Sequence, residues 1–233
     1  MKIVDQRFHI MTDMRPTNVL DMFQLMELAG RTCYKSEDKV DMEFCTQCNK
    51  GQPCGFSAWH QESQPGLNPV IPTCFKFVKK ILDRGHESVI EHCSITVRFI
   101  VDRGISHELV RHRLASYSQE STRYCNYGDK PIETIQPVDF DLTTDDIVLL
   151  NQIERHYQLG IKQGRTPQQM RYFLHNGLKT EIVSTMNLRQ WRHVLDLRTA
   201  KAAHPQIRAL MGDLLTALRY KIPFIFDDIG ETK

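Results

Sequence analysis

The sequence predicts an α+β fold: one domain with a small antiparallel sheet and a larger set of surrounding helices. Three observations carry this. The 233 residues suffice for one large domain or two small ones, and no internal repeat divides them. Two runs, "SITVRFIV" and "KTEIVSTMN", read as strands; in the first, Ile95, Val97, Phe99 and Val101 alternate with other residues as in a half-buried strand. Most of the remaining chain places apolar residues at helical spacing.

The elements follow in order. "KIVDQRFHI" reads as a first strand. "PTNVLDMFQLMELAG" is a helix, because Val19, Met22, Phe23 and Met26 fall at i, i+3, i+4 and i+7, with Thr17 as candidate N-cap. Residues 36–71 are rich in Lys, Glu, Gln, Pro, Gly and Cys and have no clear period. A connection that long is commonly functional or mobile. Pro72 opens the next helix, with Cys74, Phe77, Val78 and Ile81 as its stripe and Gly85 as its stop. "HESVIEH" leads into the alternating strand. "DRG" then turns the chain into a short helix, "ISHELVRHRL", and after a loop "RYCNY" is a return strand.

The rest is mostly helical. "DDIVLLNQIERHYQLGIKQG" is one helix. "TPQQMRYFLHNG" is a second, with Thr166 as cap, Pro167 at the first helical position, Gln169 completing a capping box and Gly177 as stop. After the strand "KTEIVSTMN" comes the helix "LRQWRHVLDLR". The last helix, "HPQIRALMGDLLTALRY", has the cleanest apolar face: Ile207, Leu210, Met211, Leu214, Leu215 and Leu218.

Composition excludes several classes. Apolar residues make up 41% and charged residues 25%, as in an ordinary soluble globular protein. No run of eighteen apolar residues exists, so no membrane span is expected. "MKIVDQRFHI" alternates and carries charge, unlike a signal peptide, so a cytoplasmic protein follows. A net charge of +2 is too small to argue for nucleic acid, so any anion site must be a local cluster. Seven cysteines without a secretory signal read as free thiols or metal ligands rather than disulfides. Cys45, Cys48 and Cys54 lie close together, with His60 and Cys74 beyond. A structural zinc site needs four ligands, usually as two close pairs, and the second pair is missing. Free thiols are the reading, with no metal.

Three clusters carry chemistry. The first is "RHRLASYSQESTRY", residues 111–124, with Arg111, His112, Arg113 and Arg123. Neighbours on a helix end point about 100° apart, so Arg111 and Arg113 cannot share one partner. The hydroxyls of Ser116, Ser118, Ser121 and Thr122 and the amide of Gln119 surround them. Guanidinium forks with loop hydroxyls suit a phosphorylated small molecule; the alternative is a solvated basic surface. The second is "GHESVIEH". It fails the zinc-protease patterns, because position 90 is Ile90 and position 88 is Ser88. On chemistry alone His86, Glu91 and His92 read as satisfied polar groups. The third is "NLRQWRHVLDLR", with Asn187, Arg189, His193 and Arg198 on a helix whose other side carries Leu188, Trp191 and Leu195. Arg171 adds another anion partner.

These residues together resemble the flavin-dependent thymidylate synthases. Arg111-His112-Arg113, seven further residues and Ser121 form an Arg-His-Arg-x7-Ser signature. "GHESVIEH" is similar to that family's Gly-His-Glu-Thr/Ser-x-x-Glu-His segment. Arg171 stands sixteen residues before Asn187, and "NLRQWRHVLDLR" resembles the Asn-x-Arg-x-x-x-His/Asn-x-x-x-x-Arg helix. "LAGRTCYKS" resembles the segment after the first helix. The likeness covers about residues 1–40 and 72–220, and leaves about 41–71 as a Cys-rich insertion in a single domain, 1–233.

The resemblance implies an enzyme that makes thymidylate (dTMP) from deoxyuridylate (dUMP), with methylenetetrahydrofolate as carbon donor and NADPH-reduced FAD as hydride donor. It implies a homotetramer whose active sites are shared between subunits, with no part for nucleic acid or membrane. By position, Ser88, Arg111, His112, Arg113, Asn187, Arg189 and His193 are FAD contacts, Glu91 is a carboxylate near the flavin, and Gln119 is shared between flavin and nucleotide. Glu108, Leu109, Val110, Arg111, Gln119, Glu120, Ser121, Thr122, Arg123, Arg171 and Arg198 are nucleotide contacts, and Arg198 acts on the uracil ring. Glu108 stands where many members have glutamine, and Gln119 where some have glutamate.

Two rivals compete. A folate-dependent synthase of the other kind needs a nucleophilic cysteine in a Pro-Cys-His context, and Cys74 in "IPTCF" sits on an apolar stripe. A nucleic-acid-binding module with a zinc knuckle would use "CTQCNKGQPC" and the basic loop, but the small net charge argues against it.

Overall fold

The N-terminal segment, expected as one strand, forms two: β1 (Lys2–Val4) and β2 (Arg7–Ile10). The break is held by Gln6, whose amide donates to the Gln206 carbonyl at 3.0 Å while Gln206 donates back to its Oε1 at 3.1 Å. The computed structural model describes residues 1–33, 35–39 and 72–230. The 41–71 segment, with Cys45, Cys48, Cys54 and His60, lies outside the described residues.

Helix α1 (Pro16–Thr32) opens on a proline, which suits the first helical position. Its N-cap is Arg15, without a side-chain cap bond, so the expectation of Thr17 as cap is corrected: Thr17 already lies inside the first turn. Val19, Phe23 and Met26 are buried as expected, with Met22 only half-buried. In α2 (Thr73–Leu82) Phe75 rather than Phe77 joins Cys74, Val78 and Ile81 in the core. The reason is aromatic packing: Phe75 stacks on Phe23 at 4.3 Å, with Phe224 edge-on to Phe23 at 5.3 Å. Gly85 leaves the helix at φ +75°, and the His86 amide closes the turn onto the Ile81 carbonyl at 3.1 Å.

A 3-10 turn (Glu87–His92) precedes β3 (Ser94–Asp102), where Ile95, Val97, Phe99 and Val101 are all fully buried. Helix α3 (Arg103–Leu109) is capped by Asp102, whose carboxylate accepts the Ile105 amide at 2.8 Å. The return strand is not "RYCNY", which forms turns; it is β4 (Ser116–Gln119), antiparallel to β6 (Lys179–Asn187) with Ser116 opposite Thr185. A short β5 (Glu133–Ile135) was not expected; it pairs with β1 in parallel, outside the antiparallel sheet. The main sheet has the order β2-β3-β6-β4, with β2 antiparallel to β3.

Helix α4 (Thr144–Lys162) starts on a Thr143–Asp146 capping box. In α5 (Pro167–Met170) the Thr166–Gln169 box is present as expected, but the helix stops at Met170 rather than running to Gly177. Tertiary bonds draw the chain away: the Asn176 carbonyl accepts the Arg103 and Gly104 amides at 3.0 and 3.3 Å, and Leu178 packs with Ile132, Tyr157 and Met170. Helix α6 (Leu188–Thr199) buries Leu188, Trp191 and Leu195, and α7 (Pro205–Lys221) buries all six residues of its expected face. No described helix is long and apolar enough to cross a membrane.

The chain forms two compact units. One comprises Met1–Met11, Thr96–Thr185 and Leu197–Leu214 and holds the pairing of the main sheet. The other comprises the described residues of Thr12–Ile95, Met186–Asp196 and Leu215–Lys233. In this second unit the Trp191 indole N–H donates to the Ile95 carbonyl at 3.0 Å. Arg192 bridges the Glu87 carboxylate at 3.1 Å and both oxygens of Asp228 at 2.7 Å.

The Arg192 guanidinium, hydrogen-bonded to Asp228, holds that carboxyl below its ordinary value. A depressed carboxylate stabilises the fold above its unfolded pKa of about 4, and that contribution is lost as pH falls through the folded value. Asp228→Asn should therefore be less stable than wild type at neutral pH, with the gap closing as pH falls below about 4 and through the depressed folded value. Urea melts across that range check this; a gap independent of pH would remove the ionic contribution.

Candidate active site

In the first unit, α3 carries Glu108 and Leu109 to its C-terminus, and the chain then turns through Val110 and Arg111. The helix ends before Arg111, so the expectation that Arg111 to Arg113 lie on a helix end is corrected. Arg111 is in the turn and Arg113 in the loop beyond. The turn is clasped by Tyr117 of β4, whose hydroxyl lies 2.6 Å from the Leu109 carbonyl and 2.9 Å from the His112 carbonyl. Burial pushes the Tyr117 phenol up to about 12, so it remains a donor.

Three candidates meet here. The Arg198 Nε–H donates to His112 Nε2 at 2.9 Å, its Nη1 to a Glu108 carboxylate oxygen at 2.6 Å, and its Nη2 to the Glu108 carbonyl at 3.2 Å. Because His112 Nε2 accepts, the neutral ring carries its proton on Nδ1. The His112 ring is buried, and the Arg198 side chain is 20% exposed. By contrast Arg111, Arg113 and Arg171 are exposed, and none forms an ion pair with a described residue. Their guanidinium forks are available to a ligand.

The signature loop is divided in its tasks. The Gln119 amide faces inward and donates to Ser106 and Thr180 hydroxyls at 2.8 and 3.3 Å. Glu120 accepts the Tyr127 hydroxyl at 2.9 Å and lies 3.6 Å from Lys179, which also pairs with Glu181 at 2.8 Å. Ser121 is half-buried and accepts the Arg123 amide at 3.3 Å. Thr122 is buried. Arg123 is exposed; its Nε donates to Gln168 at 2.6 Å and its guanidinium lies 5.2 Å from the Tyr124 ring centre. Leu109 is buried, whereas Val110 is exposed and uses its amide on the Ser106 carbonyl at 3.2 Å.

The second unit holds the other candidates. Asn187 caps α6, accepting the Gln190 amide at 2.8 Å. Arg189 pairs with Glu91 at 2.6 Å and lies 3.4 Å from Glu87. Ser88, on the 3-10 turn, and His193, on α6, are exposed. Within this unit the hydroxyl of Ser88, the guanidinium of Arg189 and the ring of His193 have the donor chemistry that suits a phosphate-bearing cofactor; within the first unit Arg111 and Arg113 have it as well. Among the described residues, no three His, Cys, Asp or Glu side chains converge as metal ligands.

Sequence reasoning missed Tyr117, Ser106 and Thr180. Only the alternation of "SYSQ" hinted at Tyr117; nothing local marked the other two.

Fold and site together define an α+β protein that offers arginine forks to anionic ligands. Residues 17–224 match the family described as thymidylate synthase complementing protein. A flavin-dependent thymidylate synthase of Mycobacterium avium is 32% identical over 224 residues, covering 88% of this chain and 78% of that protein. One from Geobacter sulfurreducens is 34% identical over 159 residues, covering 66% and 68%. The crystal structure of thymidylate synthase X from Helicobacter pylori with FAD and dUMP has the same fold. Its TM-score is 0.60 at 18% identity, over 97% of this chain and 98% of that one. The chain belongs to the flavin-dependent thymidylate synthase family. The zinc-knuckle reading finds no support, and Cys74 of the other rival is 2% exposed within α2.

Replacing Tyr117 by Phe leaves the Leu109 and His112 carbonyls without that donor. The variant should lose about 1–2 kcal/mol of stability. Hydrogen exchange should quicken first at the Val110, Arg111 and His112 amides; unchanged protection there would show that the hydroxyl does not hold the turn.

Proposed function

We propose that the protein converts dUMP to dTMP with methylenetetrahydrofolate as carbon donor and NADPH as reductant. It acts as a cytoplasmic homotetramer with active sites shared between subunits, on small molecules rather than nucleic acid or membrane. The whole chain is one catalytic domain with an insertion at about 41–71. The observation that carries this reading is the Arg198 guanidinium, held by Glu108 and His112 in a chain of this family.

Ser88, Arg111, His112, Arg113, Asn187, Arg189 and His193 would hold FAD, with Glu91 near the flavin and Gln119 contributing to both ligands. When bound, FAD supplies the redox chemistry that NADPH feeds. Arg123, Arg171 and Ser121 would hold dUMP, with Glu108 to Arg111 and Gln119 to Thr122 completing its shell.

Two routes could make the uracil ring react: attack by a side chain, or polarisation of the ring. Ser121 needs an adjacent base to become a nucleophile, and among the described residues no histidine or carboxylate hydrogen-bonds to it. His112 already accepts from Arg198. Arg198 supports the second route. It keeps its charge at any working pH. A guanidinium has five N–H groups; three are committed to Glu108 and His112, leaving one on each Nη. Set against the uracil ring, that cation favours the ionised form of the ring, and the gain falls mainly in the transition state.

Arg198→Ala and Arg198→Lys should therefore lose most of the thymidylate rate while keeping FAD, and Ser121→Ala should keep measurable synthesis with weaker dUMP binding. Single-turnover assays at saturating dUMP decide; an inactive Ser121→Ala beside a near-normal Arg198 variant reverses the roles. Arg123→Ala should weaken dUMP by about 1.5–3 kcal/mol, roughly 10- to 150-fold, with FAD retained. Calorimetric titration measures it, and equal loss of both ligands would mean a collapsed loop. In wild type, NADPH oxidation without thymidylate would remove the synthase assignment.

A further inference from the structure

The second unit contains a cavity of about 500 Å³ whose lining includes Arg31, Lys76, Phe77, Lys80, Arg84 and His86. None of these residues has a place in the flavin and dUMP contacts above. Arg31 is a fixed wall: it pairs with Glu27 at 2.6 Å and lies 4.7 Å from the Phe77 ring centre. Gly30 makes room for that ring, since a Cβ there would come within 2.6 Å of it. Glu27 is fully committed, because its other oxygen accepts the Thr73 hydroxyl at 3.1 Å.

The remaining cations are uncompensated. Lys76, Lys80 and Arg84 recur every fourth residue along α2 and its C-terminal turn, so they share one side. No described carboxylate pairs with them; the nearby Asp83 is taken by Lys79 at 3.0 Å. Like charges four apart on a helix repel. The helix dipole favours cations in the last turn, which accounts for Lys80 but not for Lys76 in the first half. Lys76, Lys80 and Arg84 are exposed at the cavity, and an anion seated there would relieve their mutual repulsion.

We propose that this cavity binds the terminal anionic group, phosphate or carboxylate, of a cosubstrate. The proposal rests on the synthase reading, whose two cosubstrates both carry such groups: NADPH a 2′-phosphate, methylenetetrahydrofolate a glutamate tail. Lys76 and Lys80 are the direct contacts, with Arg84 and His86 at the margin and Arg31 behind.

The test compares the FAD-loaded wild type with Lys76→Glu/Lys80→Glu and with the milder Lys80→Gln. KM and kcat are measured for NADPH, NADH, and monoglutamyl and triglutamyl methylenetetrahydrofolate, with dUMP affinity and the flavin spectrum as controls. The expected result is a rise in one KM of about tenfold or more in the double variant, with kcat, dUMP and flavin unchanged. If the 2′-phosphate is the ligand, preference for NADPH over NADH collapses. If the glutamate tail is, the advantage of the triglutamyl donor collapses. Both KM values within about twofold of wild type overturn the proposal. If the double variant loses FAD or dUMP, Lys80→Gln decides by the same criterion. A wild type that makes no thymidylate fails the synthase reading instead.

Discussion

Arg198 is a permanent cation with most of its surface removed from water, and such a charge needs partners. Glu108 meets it twice, through carboxylate and carbonyl, and His112 meets it once. Those three bonds fix more than one side chain. They tie the C-terminus of α3 and the turn after it to the last residues of α6, while Tyr117 fastens the same turn from β4. Arg111 and Arg113 can therefore stay exposed without folding back onto a carboxylate.

The second unit solves a similar problem with a different cation. Burial works against the Arg192 charge, but Asp228 and Glu87 more than offset it and raise its pKa. The bridge holds the 3-10 turn that carries Ser88 and Glu91, and the cap at Asn187 sets the start of α6. Arg189, exposed and joined to Glu91, has a looser hold that a ligand can replace. Within each unit the less exposed guanidinium, Arg198 or Arg192, is held by carboxylates.

Lys179 adds a third charge centre. Burial opposes its ammonium, yet the Glu181, Glu120 and Glu133 carboxylates outweigh that and raise its pKa. Glu120 is thereby tied to Lys179 and, on its other oxygen, to Tyr127, whose phenol burial and this carboxylate keep protonated. In the signature loop two consecutive residues thus have different partners: Gln119 turns to Ser106 and Thr180, and Glu120 to Lys179.

What the sequence determined by itself is what depends on local pattern. The alternation in "KTEIVSTMN" became β6, the six-residue face of the last helix is buried, and the Thr166–Gln169 box forms, because burial period and capping are set by residues within a turn or two. The arginine signature was equally legible, since its residues are neighbours in the chain. Only the tertiary structure decided where elements stop. It split the first strand at Gln6, ended α3 before Arg111, placed the return strand at Ser116–Gln119 and cut α5 short. It also decided that Glu108 and His112 hold Arg198, a bond across 86 and 90 residues of sequence. A carboxylate and a guanidinium that far apart leave no periodic trace, because their meeting is set by the tertiary fold of the first unit and not by the spacing of either.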